Sequence, residues 1–211
     1  MSDLSYVAVE GVIGVGKTTL ARMVAERLDA ELILETAEEN PFLTKFYQDP
    51  RRYAFQTQVF FLLSRYHQLG QLAARDLFAQ RIVCDFLFDK DGLFASVNLS
   101  ESELLLYEKI VPLMREQLPR PDLVVYLQAR TEVLLDRIRR RKVPYERQIG
   151  RDYLEALNSA YNYFFFHYDQ TPLLVVKTDE IDFVHRPEHF EDLLHQIERS
   201  VDGKQYYVPA P

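Results

Sequence analysis

The stretch GVIGVGKTT, residues 11 to 19, limits this chain more than any other feature. It follows the short apolar run YVAVE (6 to 10) and opens onto LARMVAERL (20 to 28), so it joins a strand to a helix. Its spacing is G-x-x-x-x-G-K-T, with Gly11, Gly16, Lys17 and Thr18 at the fixed positions and Gly14 between them. Glycines let backbone N–H groups turn toward an anion, and the helix that starts near Lys17 adds its positive end. Lys17 then reaches terminal phosphates, and the Thr18 hydroxyl is placed to ligate magnesium. The segment is therefore a P-loop, and it predicts nucleotide binding.

Apolar runs rich in β-branched residues recur at 6 to 10, 32 to 35 (LILE), 81 to 85 (RIVCD), 122 to 128 (DLVVYLQ) and 172 to 178 (PLLVVKT). Stretches with helical periodicity separate them, at 17 to 28 and about 51 to 74, 100 to 117, 131 to 141, 150 to 167 and 187 to 200. Continuous apolar strands alternating with helices predict an α/β fold in three layers, a five-stranded parallel sheet with helices on both faces. Pro50 and Pro187 suit helix starts, and Thr131 followed by Glu132 reads as an N-terminal cap. A chain of 211 residues favours one domain, here 1 to 200, with a tail from 201 to 211 (DGKQYYVPAP from 202) that runs along the surface or is flexible.

The net charge of -7 argues against general nucleic-acid binding, which rests on arrays of Lys and Arg. Nowhere do 18 apolar residues run without a charge, and the N-terminus carries no signal pattern, so a cytoplasmic protein with no membrane partner is expected. The single cysteine, Cys84, reads as a buried strand residue, and the five scattered histidines lack metal-site spacing. The aromatic run YNYFFFHY (161 to 168) puts rings all round a helix and reads as a helix end packed in the core rather than a stacking platform.

Two carboxylates close strands at the carboxyl edge of the sheet, where ligands of such folds collect. Asp85 there suits magnesium, directly or through water; the alternative is an Asp that caps the following loop. Glu35 is the best-placed base for a hydroxyl that accepts a phosphoryl group, against a solvated strand-end glutamate. The densest basic cluster is RIRRRKVPYERQIGR (137 to 151), where Arg137 and Arg141 share one helix face. With a P-loop in the chain it reads as a phosphate-closing lid over about 137 to 150, and otherwise as a solvated helix end.

The P-loop, the strand ending in Glu35, the run ENPFLTKFYQDPRRYAFQTQVFFLLSRYHQL (39 to 69) and the Arg-rich lid together resemble the deoxynucleoside kinase family, in its bacterial deoxyadenosine and deoxyguanosine kinase branch. The resemblance runs to about residue 198, and the stretch from 39 to 69 is more specific than the P-loop. It implies the P-loop kinase fold, ATP with Mg2+ as donor, a deoxynucleoside (deoxyadenosine first) as acceptor, and a homodimer. Gly11, Gly14, Gly16, Lys17, Thr18, Thr19, Arg137 and Arg141 fall at ATP-binding positions, and Thr18 and Asp85 at the metal. Glu35 matches the general base for the 5′-hydroxyl. Gln58 matches the amide that pairs with the base edge, Arg65 the arginine beside the base, and Phe94 the stacking ring. Tyr47 and Glu146 match the pair on the 3′-hydroxyl.

One departure stands out. The family carries Asp or Glu, Arg and Ser after the third strand; here Asp85, Phe86 and Leu87 stand there, in a segment, DFLFDKDGLFA, one residue shorter. Asp85 remains as a carboxylate, but the arginine that helps hold the 5′-oxygen and phosphate is missing. Lys90 is the candidate catalytic substitute, with another arginine as the alternative, and either Lys90 or Asp91 reaches the base. Two other functions compete. One is a nucleoside monophosphate kinase of the thymidylate type, which needs further cations for the acceptor's phosphate. The other is a P-loop binding protein that has lost turnover through the Phe86 change.

Overall fold

A computed structural model describes residues 4–73, 81–179, 181–199 and 202–208. The apolar runs form parallel strands: β1 (Tyr6–Gly11), β2 (Glu31–Ile33), β3 (Ile82–Cys84), β4 (Leu123–Gln128) and β5 (Leu173–Lys177). The helices are α1 (Lys17–Leu28), α2 (Leu43–Gln48), α3 (Pro50–Ala73), α4 (Lys90–Asn98), α5 (Glu101–Arg115), α6 (Thr131–Arg141), α7 (Arg151–His167) and α8 (Pro187–Glu198). Short 3-10 turns cover Ala37–Glu39 and Tyr145–Gln148.

The sheet differs from expectation by one strand. Its order is β2-β3-β1-β4-β5-β6, where β6 (Lys204–Tyr207) comes from the tail and pairs parallel with β5. KQYY alternates too weakly to announce a strand, but the open edge of β5 supplies backbone partners for it. The tail's remaining residues, 201 and 209 to 211, lie outside the described set, as does Ala74 at the end of the long helix expected over 51 to 74. Helices α2 and α4 were not expected. Both are short, and α4 buries Lys90 and Asp91, which masks its apolar pattern.

The expected cap at Thr131 moves by one residue. Thr131 is the first helical residue of α6, and Arg130 holds the capping position in extended backbone. The reason is tertiary: the Arg130 N–H donates to Asp179 Oδ1 at 2.8 Å, which fixes the turn before the helix. Pro187 does begin α8, and Ser100 forms a capping box with Glu103 at α5. The aromatic run of α7 divides by helical spacing. Tyr161 and Phe165 are buried four residues apart, and Tyr126 of β4 stacks on Phe165 with ring centroids at 4.1 Å. Tyr163 and Phe166, on the other face, are exposed.

Strand register positions the chemistry. Ala8 and Ile33 both pair with Cys84, so β2 and β3 end level, while β1 runs three residues farther, to Gly11. The Asp85 N–H continues the ladder to the Ile33 carbonyl at 3.1 Å. The P-loop after β1, Glu35 after β2 and Asp85 after β3 therefore arrive at one edge. β1 lies between β3 and β4, so this edge is the topological switch point of the sheet.

Cys84 sits at the centre of this array. Burial pushes its thiol up to about 12. Because the thiolate is the reactive form, a disulfide reagent at neutral pH is expected to leave native Cys84 unlabelled and to label it fully in denaturant. Rapid labelling of the folded protein would place Cys84 outside the core.

Candidate active site

A cleft of about 560 Å³ opens over the carboxyl edge. Its phosphate end is built by the P-loop. Gly14 has a φ of 86°, in the left-handed region that favours glycine. A Cβ there would lie 2.7 Å from Ile138 Cγ1, and at Gly11 one would lie 2.5 Å from the Leu127 carbonyl oxygen. The loop is thus pressed against both α6 and β4. Lys17 Nζ donates to the Gly11 carbonyl at 2.7 Å and to Val12 at 3.3 Å. Burial, and next the Lys90 ammonium, push its amine down from the usual lysine range. Gly14, Lys17, Thr18 and Arg22 line the cleft, whereas Thr19 turns outward to solvent.

Asp85 joins the two ends. Its Oδ2 accepts the Thr18 hydroxyl at 2.5 Å, and its Oδ1 accepts the Glu35 N–H at 2.7 Å. A hydroxyl and a carboxylate in contact, both on the cleft wall, form a hard oxygen donor set. This suits magnesium, which binds one or two protein oxygens and takes the rest from phosphates and water. Among the described residues no group of three or more His, Cys, Asp or Glu gathers as a metal cage.

Glu35 lies two residues beyond β2 and is held from three sides. Its N–H goes to Asp85. Its Oε1 accepts Arg65 Nε at 2.7 Å, with Nη2 at 2.5 Å, and its Oε2 accepts Lys90 Nζ at 2.9 Å. Burial alone would raise its carboxyl; Arg65 and then Lys90 outweigh that and hold it down at about 2. Glu35 is therefore ionised throughout the neutral range.

Gln58, Phe61 and Arg65 follow one another at spacings of three and four along α3, so all three face the cleft. The Arg65 guanidinium lies 5.0 Å from the Phe61 ring centroid, and its Nη1 pairs with Asp91 Oδ2. Gln58 Nε2 donates to the Asp91 carbonyl at 2.9 Å and also to Asp91 Oδ1, which accepts the Tyr107 hydroxyl at 2.7 Å as well. The donor half of the Gln58 amide is thus committed to Asp91, and Oε1 is the atom left for a base edge. Burial raises the Asp91 carboxyl despite Arg65. Asp91 does not line the cleft; it anchors Gln58 and Arg65, which do.

The remaining expected residues divide. Phe94, Tyr47 and Glu146 line the cleft, and Tyr47 stacks on Tyr145 with centroids 6.2 Å apart and planes 9° from parallel. Arg141 also lines it, paired with Glu146. Arg137, expected beside it on the donor phosphates, is turned elsewhere. It donates to the Val15 carbonyl at 3.1 Å and to the Thr178 carbonyl at 2.6 Å, tying the P-loop to the residue after β5. Lys90, expected to supply charge to the phosphate directly, is buried behind Glu35 and outside the cleft lining. Sequence reasoning passed over Phe61, which the helical spacing of Gln58 and Arg65 signals. It also passed over Glu10, a carboxylate inside the otherwise apolar, fully buried strand β1.

A family model described as deoxynucleoside kinase matches residues 7–202. The chain is 34% identical over 206 residues to a deoxyguanosine kinase of Bacillus subtilis, covering 95% of this chain and all of that one. It is 28% identical over 212 residues to the deoxyadenosine/deoxycytidine kinase of the same organism, covering 95% of each. A solved deoxyadenosine kinase from M. mycoides with bound dATP superimposes with a TM-score of 0.80 at 27% identity, covering 91% of this chain and 98% of that one.

Removing Asp91 separates anchoring from contact. Asp91→Ala leaves Arg65 partly unpaired in a buried site and is expected to cost about 3 kcal/mol in urea unfolding, with a rise in nucleoside KM as Gln58 loses its anchor. A loss under about 1 kcal/mol would mean that Arg65 and Gln58 hold their places without it.

Proposed function

The chain belongs to the deoxynucleoside kinase family and phosphorylates deoxynucleosides, and from that premise we propose that it carries the γ-phosphoryl group of ATP to the 5′-hydroxyl of a purine deoxynucleoside. One observation carries the reading. Glu35 stands where the two ends of the cleft meet, tied through Asp85 to Thr18 of the P-loop and through Arg65 to the side that holds Gln58. A hydroxyl at that junction has an acceptor on one side and the phosphate cradle on the other. The purine preference rests on what relatives are named for, deoxyguanosine and deoxyadenosine, and deoxyadenosine remains the first acceptor to try.

In this reading the P-loop amides and Lys17 hold the phosphates of ATP, with Arg141 closing over them from the lid. Mg2+, held by Thr18 and Asp85, supplies positive charge against the phosphate oxygens when bound. Tyr47 and Glu146 take the 3′-hydroxyl, Phe94 stacks on the base, and Gln58 Oε1 accepts from its edge. Glu35 accepts a hydrogen bond from the 5′-hydroxyl, whose oxygen forms the new bond to the γ-phosphorus while the bond to the β–γ bridging oxygen breaks. The proton passes to Glu35, and ADP leaves. A carboxylate at about 2 is a weak base, so it orients the hydroxyl and takes the proton late, as a loose transition state allows. A monophosphate acceptor would need further cations for its own phosphate, and Arg65, the arginine on the α3 wall of the cleft, is already paired with Glu35 and Asp91.

The homodimer belongs to the same proposal. Leu63 of α3 and Leu105, Leu106 and Leu113 of α5 are exposed, and α3 packs on α5. We assign these leucines to the subunit contact, so Leu106→Glu with Leu113→Glu is expected to give a monomer in sedimentation velocity; an unchanged sedimentation coefficient would remove them from it. Among the described residues no helix is long and apolar enough to cross a membrane. The single buried thiol suits a reducing compartment, and we propose the cytoplasm.

Label transfer from ATP to a panel of nucleosides and monophosphates tests the reading. Purine deoxynucleosides are expected to be labelled, and Glu35→Gln to lower kcat by about 100-fold with a modest change in nucleoside affinity. A variant that lost affinity alone would make Glu35 a binding residue. No transfer by the parent protein to any nucleoside would leave a binding protein.

A further inference from the structure

Lys90 begins α4, its side chain is 2% exposed, and no part of it lines the cleft. Its ammonium stands between two carboxylates, 2.9 Å from Glu35 Oε2 and 3.9 Å from Glu10 Oε2. The Phe86 ring, itself fully buried, has its centroid 5.9 Å from the same nitrogen. Glu10 is 0% exposed and immobilised. Its Oε1 accepts the Gly11 N–H at 2.8 Å and the Tyr161 hydroxyl at 3.2 Å, and its Oε2 accepts the Leu87 N–H at 2.8 Å. One carboxylate is therefore fixed by β1, the turn after β3 and α7, and the other sits at the cleft on a loop.

This asymmetry has a mechanical consequence. A buried ammonium without a partner is strongly unfavourable, so Lys90 stays in line between the two anions. Glu10 cannot move, and Lys90 therefore draws Glu35 Oε2 inward, while Arg65 draws Oε1 from α3. Glu35 belongs to no strand or helix, and these two cations with Asp85 set its direction. Misplacement of a reacting group by about 1 Å can cost about 100-fold in rate, so such a clamp governs turnover without touching substrate. We propose that Lys90 and Glu10 are positioning residues for Glu35, with Lys90 acting on the reaction through the Glu35 carboxylate and Glu10 acting through Lys90.

The inference rests on the reading of Glu35 as the acceptor of the 5′-hydroxyl proton, and a double-mutant cycle keeps the two apart. Lys90→Met is expected to lower kcat by about 10- to 100-fold with nucleoside KM changed less than about threefold. In a Glu35→Gln background the same substitution is expected to lower kcat by less than about twofold, because the group it positions is gone. Glu10→Gln is expected to lower kcat by about 10-fold alone and to add nothing to Lys90→Met. If the Lys90 and Glu35 losses multiply, Lys90 acts on the phosphoryl group directly and the proposal is overturned. If the Glu10 and Lys90 losses multiply, Glu10 has no part in it. Should Lys90→Met fail to fold, as thermal melting would show, Lys90→Gln replaces it in the same cycle with the same criteria. Full turnover in Glu35→Gln alone would instead overturn the reading of Glu35.

Discussion

Five charged side chains, Glu10, Lys90, Glu35, Arg65 and Asp91, run in alternating sign from strand β1 through the centre of the molecule to helix α4. Four of them are almost wholly buried, and Glu35 alone is partly exposed in the cleft. Charges withdrawn from water must be paired, and the pairing fixes direction as well as distance. The loop after β2, the middle of α3 and the start of α4 are thereby held in one arrangement at this edge. Tyr107 extends the chain into α5, and Tyr161 into α7.

The chain of charges also explains how the cleft divides. At the P-loop end stand loop backbone groups, Lys17 and Thr18 from the first turn of α1, and Asp85 just beyond β3, all at the edge that β1 and β3 set by their ladder register. At the other end one face of α3 presents Gln58, Phe61 and Arg65, and the buried Asp91 holds Gln58 and Arg65 in place. Phe86, at the position where the family resemblance implied an arginine, is consistent with this plan. It is a buried ring that faces an ammonium, and positive charge next to Glu35 comes from Lys90 by another route.

Local patterns made much of the site legible. The P-loop glycines, the carboxylates beyond β2 and β3, and the basic stretch after β4 are read directly, because each depends on spacing within a few residues. The failures share a cause. Arg137 and Arg141 lie on the same helix face by spacing, yet the close approach of the P-loop to α6 turns Arg137 to the Val15 carbonyl and leaves Arg141 at the cleft. The capping residue of α6 was displaced by Asp179, which lies 49 residues away. The sixth strand exists because β5 offers an edge, and nothing within KQYY announces that.

The sequence by itself determined the class of fold, the P-loop and the family, because periodicity and motif spacing are properties of neighbouring residues. Only the tertiary structure decided which charges meet. Lys90 and Glu35 are 55 residues apart, and Lys90 and Glu10 farther still. Whether a lysine in that segment faces a phosphate or the back of a carboxylate depends on how strand register and helix packing bring distant positions together. The cost of burying charge then selects the single arrangement in which every ion of that chain has an opposite partner.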